Sequence, residues 1–261
     1  MRAIILSAGQ GRRLLPLTAE TPKCLLEVDG ARSVLELQLD ALARCGIRSA
    51  TVMVGFGAEK VEKLLAHRPV PKIEVQTRYN PFFAVTDNLV TCWLARSDMT
   101  EDFILLNGDT IVQTEVVRRI VAFDGPGVAV VIDRKAEYSD DDMKVTLDGG
   151  TRLRAVGKAI PAADVDGESI GLIAFRGWGI EAFRNTLDKA VRNPTSLNKW
   201  YLHVINTMAG FMPVQTVSIE GLWWAEVDSP ADLEEARRAL ERQARFRSIP
   251  AVPAAPNRTF A

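Results

Sequence analysis

The chain has 261 residues, more than the ~150 usual for one domain and fewer than two comfortable ones, so one large domain with insertions is expected. Its composition, 47% hydrophobic and 25% charged, excludes collagen, disorder and coiled coil. Lys and Arg number 32 against 33 Asp and Glu, a formal net charge of −1, so the summed positive field that a nonspecific nucleic-acid binder needs is missing. Cys24, Cys45 and Cys92 form no Cys-x-x-Cys pair and are odd in number, so no disulfide framework is expected. With only His67 and His203 beside them, a four-ligand zinc site is poorly supplied, and any metal here would take carboxylates. The first apolar run, Ala3 to Leu6, is too short for a signal-peptide core or a membrane span. The expectation is a cytoplasmic protein without membrane contact.

From the start, short apolar runs alternate with amphipathic stretches, the pattern of an α/β fold: a single Rossmann-like three-layer domain with a mostly parallel central sheet. Ala3 to Leu6 reads as a strand. Ser33 caps a helix through Leu35, Leu39 and Leu42 that stops at Gly46, followed by a strand from Ala50 to Val54 and a helix from Ala58 to His67. A strand at Ile73 to Gln76 precedes a helix capped by Asp87. Phe103 to Leu106 is a wholly apolar strand, and Val116 to Phe123 reads as helical. After a strand at Val128 to Ile132 the texture changes, and Met143 to Leu147, Asp148-Gly149-Gly150 and Arg152 to Val156 predict a small antiparallel hairpin. Ile170 to Phe175 is a strand, Ile180 to Val191 and Asn198 to Ala209 are helical, and Val214 to Ile219 and Trp224 to Val227 are strands. The last helix carries Ser229 as N-cap, Pro230 in its first turn and Asp232 three after the cap. The domain is expected over 1–245, and 246–261, rich in Pro and Ala, reads as a loose tail.

The segment Ala8-Gly9-Gln10-Gly11-Arg12-Arg13-Leu14, with Pro16-Leu17-Thr18 and Pro22-Lys23, puts glycines and cations directly after the first strand, where an open α/β sheet binds ligands. A dinucleotide fingerprint fails because position 14 is Leu14, and a P-loop fails because Gly11 is followed by Arg12. What survives is a loop whose N–H groups wrap a triphosphate while Arg and Lys neutralise it. The plainer alternative is a tight turn with solvated cations. Asp109, in Leu106-Asn107-Gly108-Asp109, stands where a charge is costly unless it coordinates something. Asp228 ends another strand before a capped helix.

The same run resembles the signature of the nucleotidyltransferases that make nucleotide-activated sugars and alcohols, over essentially residues 1 to 240. The resemblance implies that Arg13 and Lys23 handle the triphosphate, that Ala8, Gly9 and Gly11 form the backbone cradle, and that Asp109 and Asp228 bind Mg²⁺, with Lys23, Arg13 and Asp109 catalytic. Glu226 is left open, because strand alternation can point it either way. The stretch Asn80 to Thr91, then Asp140 to Val145 and Val156-Gly157-Lys158, look like the cytidylyltransferases that act on phosphocholine and on aminoalkyl phosphonates. By this similarity Asn88 meets the nucleotide, and Lys144 and Lys158 meet the acceptor phosphate. Thr91 departs mildly from the Ser that related sequences often carry there, keeping the hydroxyl. Aromatic faces and a carboxylate hold a quaternary ammonium, and Trp200, Trp223 and Glu168 are candidates. Alternation allows at most one of Trp223 and Trp224 into such a pocket. The implied partners are CTP and a small phosphorylated or phosphonate acceptor, with no nucleic acid; a homodimer is open. A sugar-1-phosphate enzyme using UTP, dTTP or GTP and a non-catalytic nucleotide-binding module are the rival readings.

Overall fold

The first strand, β1 (Arg2–Ser7), is apolar on both faces: Ala3 and Ile5 join one buried cluster, Ile4 and Leu6 another. With side chains alternating at period 2, such a strand has to be covered on both sides. The computed structural model describes residues 1–248. In it β1 is followed by β2 (Glu27–Asp29), β3 (Arg32–Ser33), α1 (Val34–Arg44), β4 (Ser49–Val54), α2 (Ala58–His67), β5 (Glu74–Tyr79) and α3 (Asn88–Leu94). Next come β6 (Phe103–Asn107), β7 (Thr110–Val112), α4 (Thr114–Val121), β8 (Gly127–Asp133), β9 (Lys144–Leu147) and β10 (Leu153–Val156). The chain continues with β11 (Gly167–Arg176), α5 (Trp178–Val191), α6 (Leu202–Ala209), β12 (Val214–Ser218), β13 (Trp224–Glu226) and α7 (Pro230–Ser248).

Among the described residues nine strands form the central sheet. β5, β4, β1 and β6 lie side by side in parallel. β11 pairs antiparallel with β6 on one edge and β8 on the other, and β8 carries β12 in parallel. The start of β11 also pairs with β9, whose hairpin partner is β10. Among the described residues β10 and β11 run against the other strands of this sheet, so it is mostly parallel with an antiparallel hairpin, as the sequence predicts. Leu35, Leu42, Val61 and Val116 from α1, α2 and α4 cover one face; Leu89, Phe183, Leu187 and Ile205 from α3, α5 and α6 cover the other. The result is the three-layer arrangement.

Helix starts follow local chemistry. Ser33 accepts the Glu36 N–H on Oγ while its own N–H donates to Glu36 Oε2 at 2.9 Å, a reciprocal cap on α1. Ser229 and Asp232 do the same for α7. α7 runs to Ser248, so the expected tail, 246–261, begins inside a helix and from 249 on lies outside the described residues. No helix among the described residues is long and apolar enough to cross a membrane, and all three cysteines are free thiols.

Two features off the main layers position the site. The sequence predicts one strand of the short β7–β13 ribbon, Trp224 to Val227, but Thr110–Val112 is too short to show a period. It packs with Leu14, Val227 and Leu233 in a third apolar cluster that ties the glycine loop to the start of α7. The second feature is a fork in β11: Glu168 pairs with β9, Leu172 with β6, and the register against β8 slips between Ser169 and Ile173. Gly171, at φ 74°, sits in the gap.

Candidate active site

Gly11 adopts the left-handed conformation at φ 72°, and a Cβ there would stand 3.1 Å from the Lys23 Cβ. Glycine therefore serves both the turn and the close approach of Lys23. Thr18, wholly buried, donates from Oγ1 to the Gly11 carbonyl oxygen at 2.8 Å, pinning the loop from below. Where the chain leaves β6, its crossing past the end of β1 is tighter still: the Gly108 N–H donates to the Leu6 carbonyl oxygen at 2.9 Å, and any Cβ on Gly108 would fall 2.2 Å from Ser7 Oγ. That crossing delivers Asp109 to the carboxyl end of β1. Asp228 arrives by the ribbon, where Glu226 is registered on Thr110 and the Val227 N–H donates to the Asp109 carbonyl oxygen at 3.1 Å.

Carboxylate oxygens of Asp109, Glu226 and Asp228 consequently lie within 4.8 Å of one another. The Lys23 ammonium donates to Asp109 Oδ2 at 2.7 Å and to Asp228, and Arg13 also donates to Asp228. Burial alone would lower the Lys23 pKa, but Asp109 and Asp228 outweigh it and hold the ammonium above its ordinary value. Glu226 keeps an exposed flank, yet burial and then repulsion from Asp109 and Asp228 push its carboxyl up to about 8. Three carboxyl groups converge on two cations, and Glu226 holds its proton more tightly because the cluster favours one further positive charge. Asp109 Oδ1 is buried with no hydrogen-bond partner among the described residues. Hard oxygen donors and an orphaned acceptor fit a divalent cation such as Mg²⁺.

The cluster closes one end of a cleft of about 1010 Å³, ample for a nucleotide and a second ligand. Gly9, Gly11, Arg13, Lys23, Asn88, Asp109, Lys158, Glu168, Trp200, Trp223 and Asp228 all line it. Ala8 and Lys144 are not among the lining residues. Ala8 is buried, its carbonyl oxygen accepting the Phe56 N–H at 3.0 Å. Lys144 is buried too, with Nζ donating to the Lys158 carbonyl oxygen at 3.0 Å, so it supports the neighbouring lysine from behind. Both Trp223 and Trp224 line the cleft, against the expectation from alternation, because Trp223 precedes β13 and is not bound to the strand's period.

Elsewhere along the cleft, Lys135 lies 2.7 Å from Asp142 and 2.9 Å from Glu168, and the Trp224 Nε1–H donates to Asp133 Oδ2 at 2.7 Å. Glu168 is nearly fully buried, and burial raises its carboxyl despite the opposing pull of Lys135. Lys158 stands 4.4 Å over the Trp200 ring and 3.0 Å from Asp141, which also approaches Arg13. Lys135, Asp133, Asn107 and Tyr201 were missed by sequence reasoning. Asn107 carried a signal, standing two residues before Asp109; the others did not.

The nucleotidyl transferase family model matches residues 2–138, a little over half of the chain. The chain is 25% identical over 244 residues to the bifunctional IPC transferase and DIPP synthase of Aquifex aeolicus, covering 93% of this chain and 52% of that protein, so it spans about half of that relative's length. It is 24% identical over 255 residues to the CTP:phosphoglutamine cytidylyltransferase of Campylobacter jejuni, covering 90% of this chain and 98% of that one. The solved structure of CTP:phosphocholine cytidylyltransferase from Streptococcus pneumoniae superposes with a TM-score of 0.73 at 22% identity, over 92% of this chain and 98% of that chain. With the glycine loop and the strand-end Asp109 both inside the matched region, the chain belongs to the nucleotidyl transferase family.

Proposed function

We propose that the protein transfers CMP from CTP to a small acceptor bearing a phosphate or phosphonate at one end and a cationic amine at the other, with release of pyrophosphate. The observation that carries the reading is the convergence of Lys23 and Arg13 with Asp109, Glu226 and Asp228 at one end of a two-ligand cleft. A divalent cation held by Asp109, Asp228 and Glu226 would supply charge neutralisation to the triphosphate.

The chain itself offers alignment and charge rather than a nucleophile. An acceptor oxygen is already ionised near neutral pH, so it attacks the α-phosphorus directly; the bond from that phosphorus to the bridging oxygen breaks, and pyrophosphate leaves with the electron pair. Gly9 and Gly11 bring backbone close to the phosphates, and Arg13 and Lys23 gather the charge that builds on the leaving group. Lys158 faces the acceptor's anionic end. The surroundings of Lys135 support an amine: Asp142 and Glu168 share one ammonium, that of Lys135, so a second cation from the acceptor is favoured there. The names of the Campylobacter and Streptococcus proteins support CTP as the donor.

The test is pyrophosphate release from each of CTP, UTP, dTTP and GTP with phosphocholine, phosphoethanolamine, 2-aminoethylphosphonate, a polyol phosphate and glucose 1-phosphate. Turnover confined to CTP with an amine-bearing acceptor is the expected result. Preference for glucose 1-phosphate with UTP or dTTP overturns it, and tight nucleotide binding without release for any acceptor would make the chain a silent nucleotide-binding module.

A further inference from the structure

Tyr201 is fully buried and makes two hydrogen bonds to side-chain amides on different elements. Its backbone N–H donates to Asn88 Oδ1 at 2.8 Å, and its hydroxyl donates to Asn107 Oδ1 at 3.1 Å. A backbone N–H can only donate, and a phenol sealed from water must place its proton on a neighbouring acceptor, so both contacts select the oxygen of the amide. Each amide then has its Nδ2 end turned away from Tyr201. Neither Nδ2 has a hydrogen-bond partner among the described residues, and both Asn88 and Asn107 line the cleft.

The position of the second donor is marked independently. A Cβ placed on Gly171 would fall 2.3 Å from Asn107 Nδ2, so that nitrogen lies directly over Gly171, in the fork of β11 where the sheet lets go of β9 and has not yet taken up β6. The fork separates the acceptor end, with Glu168, from the nucleotide end, with Asp109. Asn107 thus holds an N–H donor at the junction of the two halves, two residues from Asp109. Asn88 holds the other at the start of α3.

We propose that Tyr201 is a positioning residue that orients two amide donors at once, the Asn107 amide toward the phosphoryl group passing between the two substrates and the Asn88 amide toward the nucleoside. The inference rests on the nucleotidyl-transfer reading. An oriented donor at the reacting phosphorus strengthens its bond as charge moves outward, so its loss appears in turnover; a donor to the nucleoside acts equally in ground and transition state, so its loss appears in KM.

The experiment uses the full chain with the nucleoside triphosphate and acceptor that the wild type turns over best. Tyr201→Phe deletes the hydroxyl and keeps the backbone N–H. It is expected to lower kcat by about tenfold or more with KM for the nucleotide within about twofold, and Asn88→Asp to raise that KM by about tenfold with kcat little changed. In a double-mutant cycle, Tyr201→Phe should have no further effect on kcat in an Asn107→Ala background. Full additivity in the cycle, or a fall in kcat that tracks a lost melting transition, overturns the inference and leaves Tyr201 a packing residue. If the wild type releases no pyrophosphate with any pair, the function reading fails instead. The amides are then tested by CTP titration against tryptophan fluorescence, where an unchanged Kd for Asn88→Asp overturns the proposal and a rise of about tenfold supports it.

Discussion

The Lys23 ammonium lies 2.7 Å from Asp109 Oδ2 and also donates to Asp228, so one cation bridges two of the three converging carboxylates. A divalent cation held by the same oxygens would compete with that ammonium. Replacing Lys23 by Met removes the competitor and leaves the carboxylates facing one another. Lys23→Met is therefore expected to melt below the wild type in chelator, and Mg²⁺ is expected to raise its Tm by more than it raises that of the wild type, because binding to the folded state alone stabilises by mass action. Turnover should fall by ~10²-fold or more, since the leaving group loses a preorganised charge. Equal Mg²⁺-induced shifts in Tm for the two proteins would remove the competition.

Asp109→Asn and Asp228→Asn keep shape and remove charge. Each is expected to lose ~10² to 10³ in turnover with an unchanged far-ultraviolet circular dichroism spectrum. The fold survives because the contacts that place these residues are backbone ones. Val227 donates to the Asp109 carbonyl oxygen, and Asp232 Oδ2 accepts the N–H groups of Asp228 and Ser229 at 3.0 and 2.7 Å whatever the side chain at 228. Near-normal turnover in either purified variant would take that residue out of the site.

What was legible in the sequence was local. The glycine loop, the strand-end aspartate and the capped last helix each announce themselves in a handful of neighbouring residues, and each lies where expected. Glu226 was undecidable, because its orientation depends on the ladder with β7, and three residues are too few to show a strand's alternation. Lys135 and Tyr201 were invisible for another reason: a lysine in a connection and a tyrosine near a helix start look ordinary until Glu168, Asp142, Asn88 and Asn107 are brought to them from distant parts of the chain. Lys144 shows the converse. The family resemblance implied an acceptor contact, but packing inside the hairpin committed its ammonium to a backbone carbonyl.

On the proposed reaction, the carboxylates around Lys135 should separate acceptors by their tails. Glu168→Gln leaves Lys135 paired with Asp142 but removes the surplus negative charge that favours an amine. KM for 2-aminoethylphosphonate should rise by about tenfold, while KM for CTP and the inhibition constant of ethylphosphonate, which has no amine, should be unaffected. An equal effect on both phosphonates would reassign Glu168 to a packing role.

Alkaline pH should unfold the protein earlier than its charge balance implies. Burial pushes the Cys24 thiol up to about 12 and Cys92 higher still, and Cys45 moves in the same direction, whereas an unfolded thiol titrates near ~8.5. The sign follows from proton binding: a group that holds its proton longer when folded than when unfolded contributes stability that is fully present below the unfolded pKa and is withdrawn as pH climbs toward the folded one. Each fully buried thiol thus withdraws about 1.4 kcal/mol per pH unit above ~9. Tyr201 and Lys23 are also raised, but their unfolded values near ~10 and above, with the Glu226 carboxyl already titrated past about 8, leave the interval from about pH 9 to 10 mainly to the thiols. Urea midpoints measured across that interval should fall steeply for the wild type. Cys92→Ala starts from a lower stability because it leaves a cavity, yet its decline should be shallower by about one thiol's share. A parallel decline in the two proteins would mean that Cys92 is ionised as readily inside the fold as outside it.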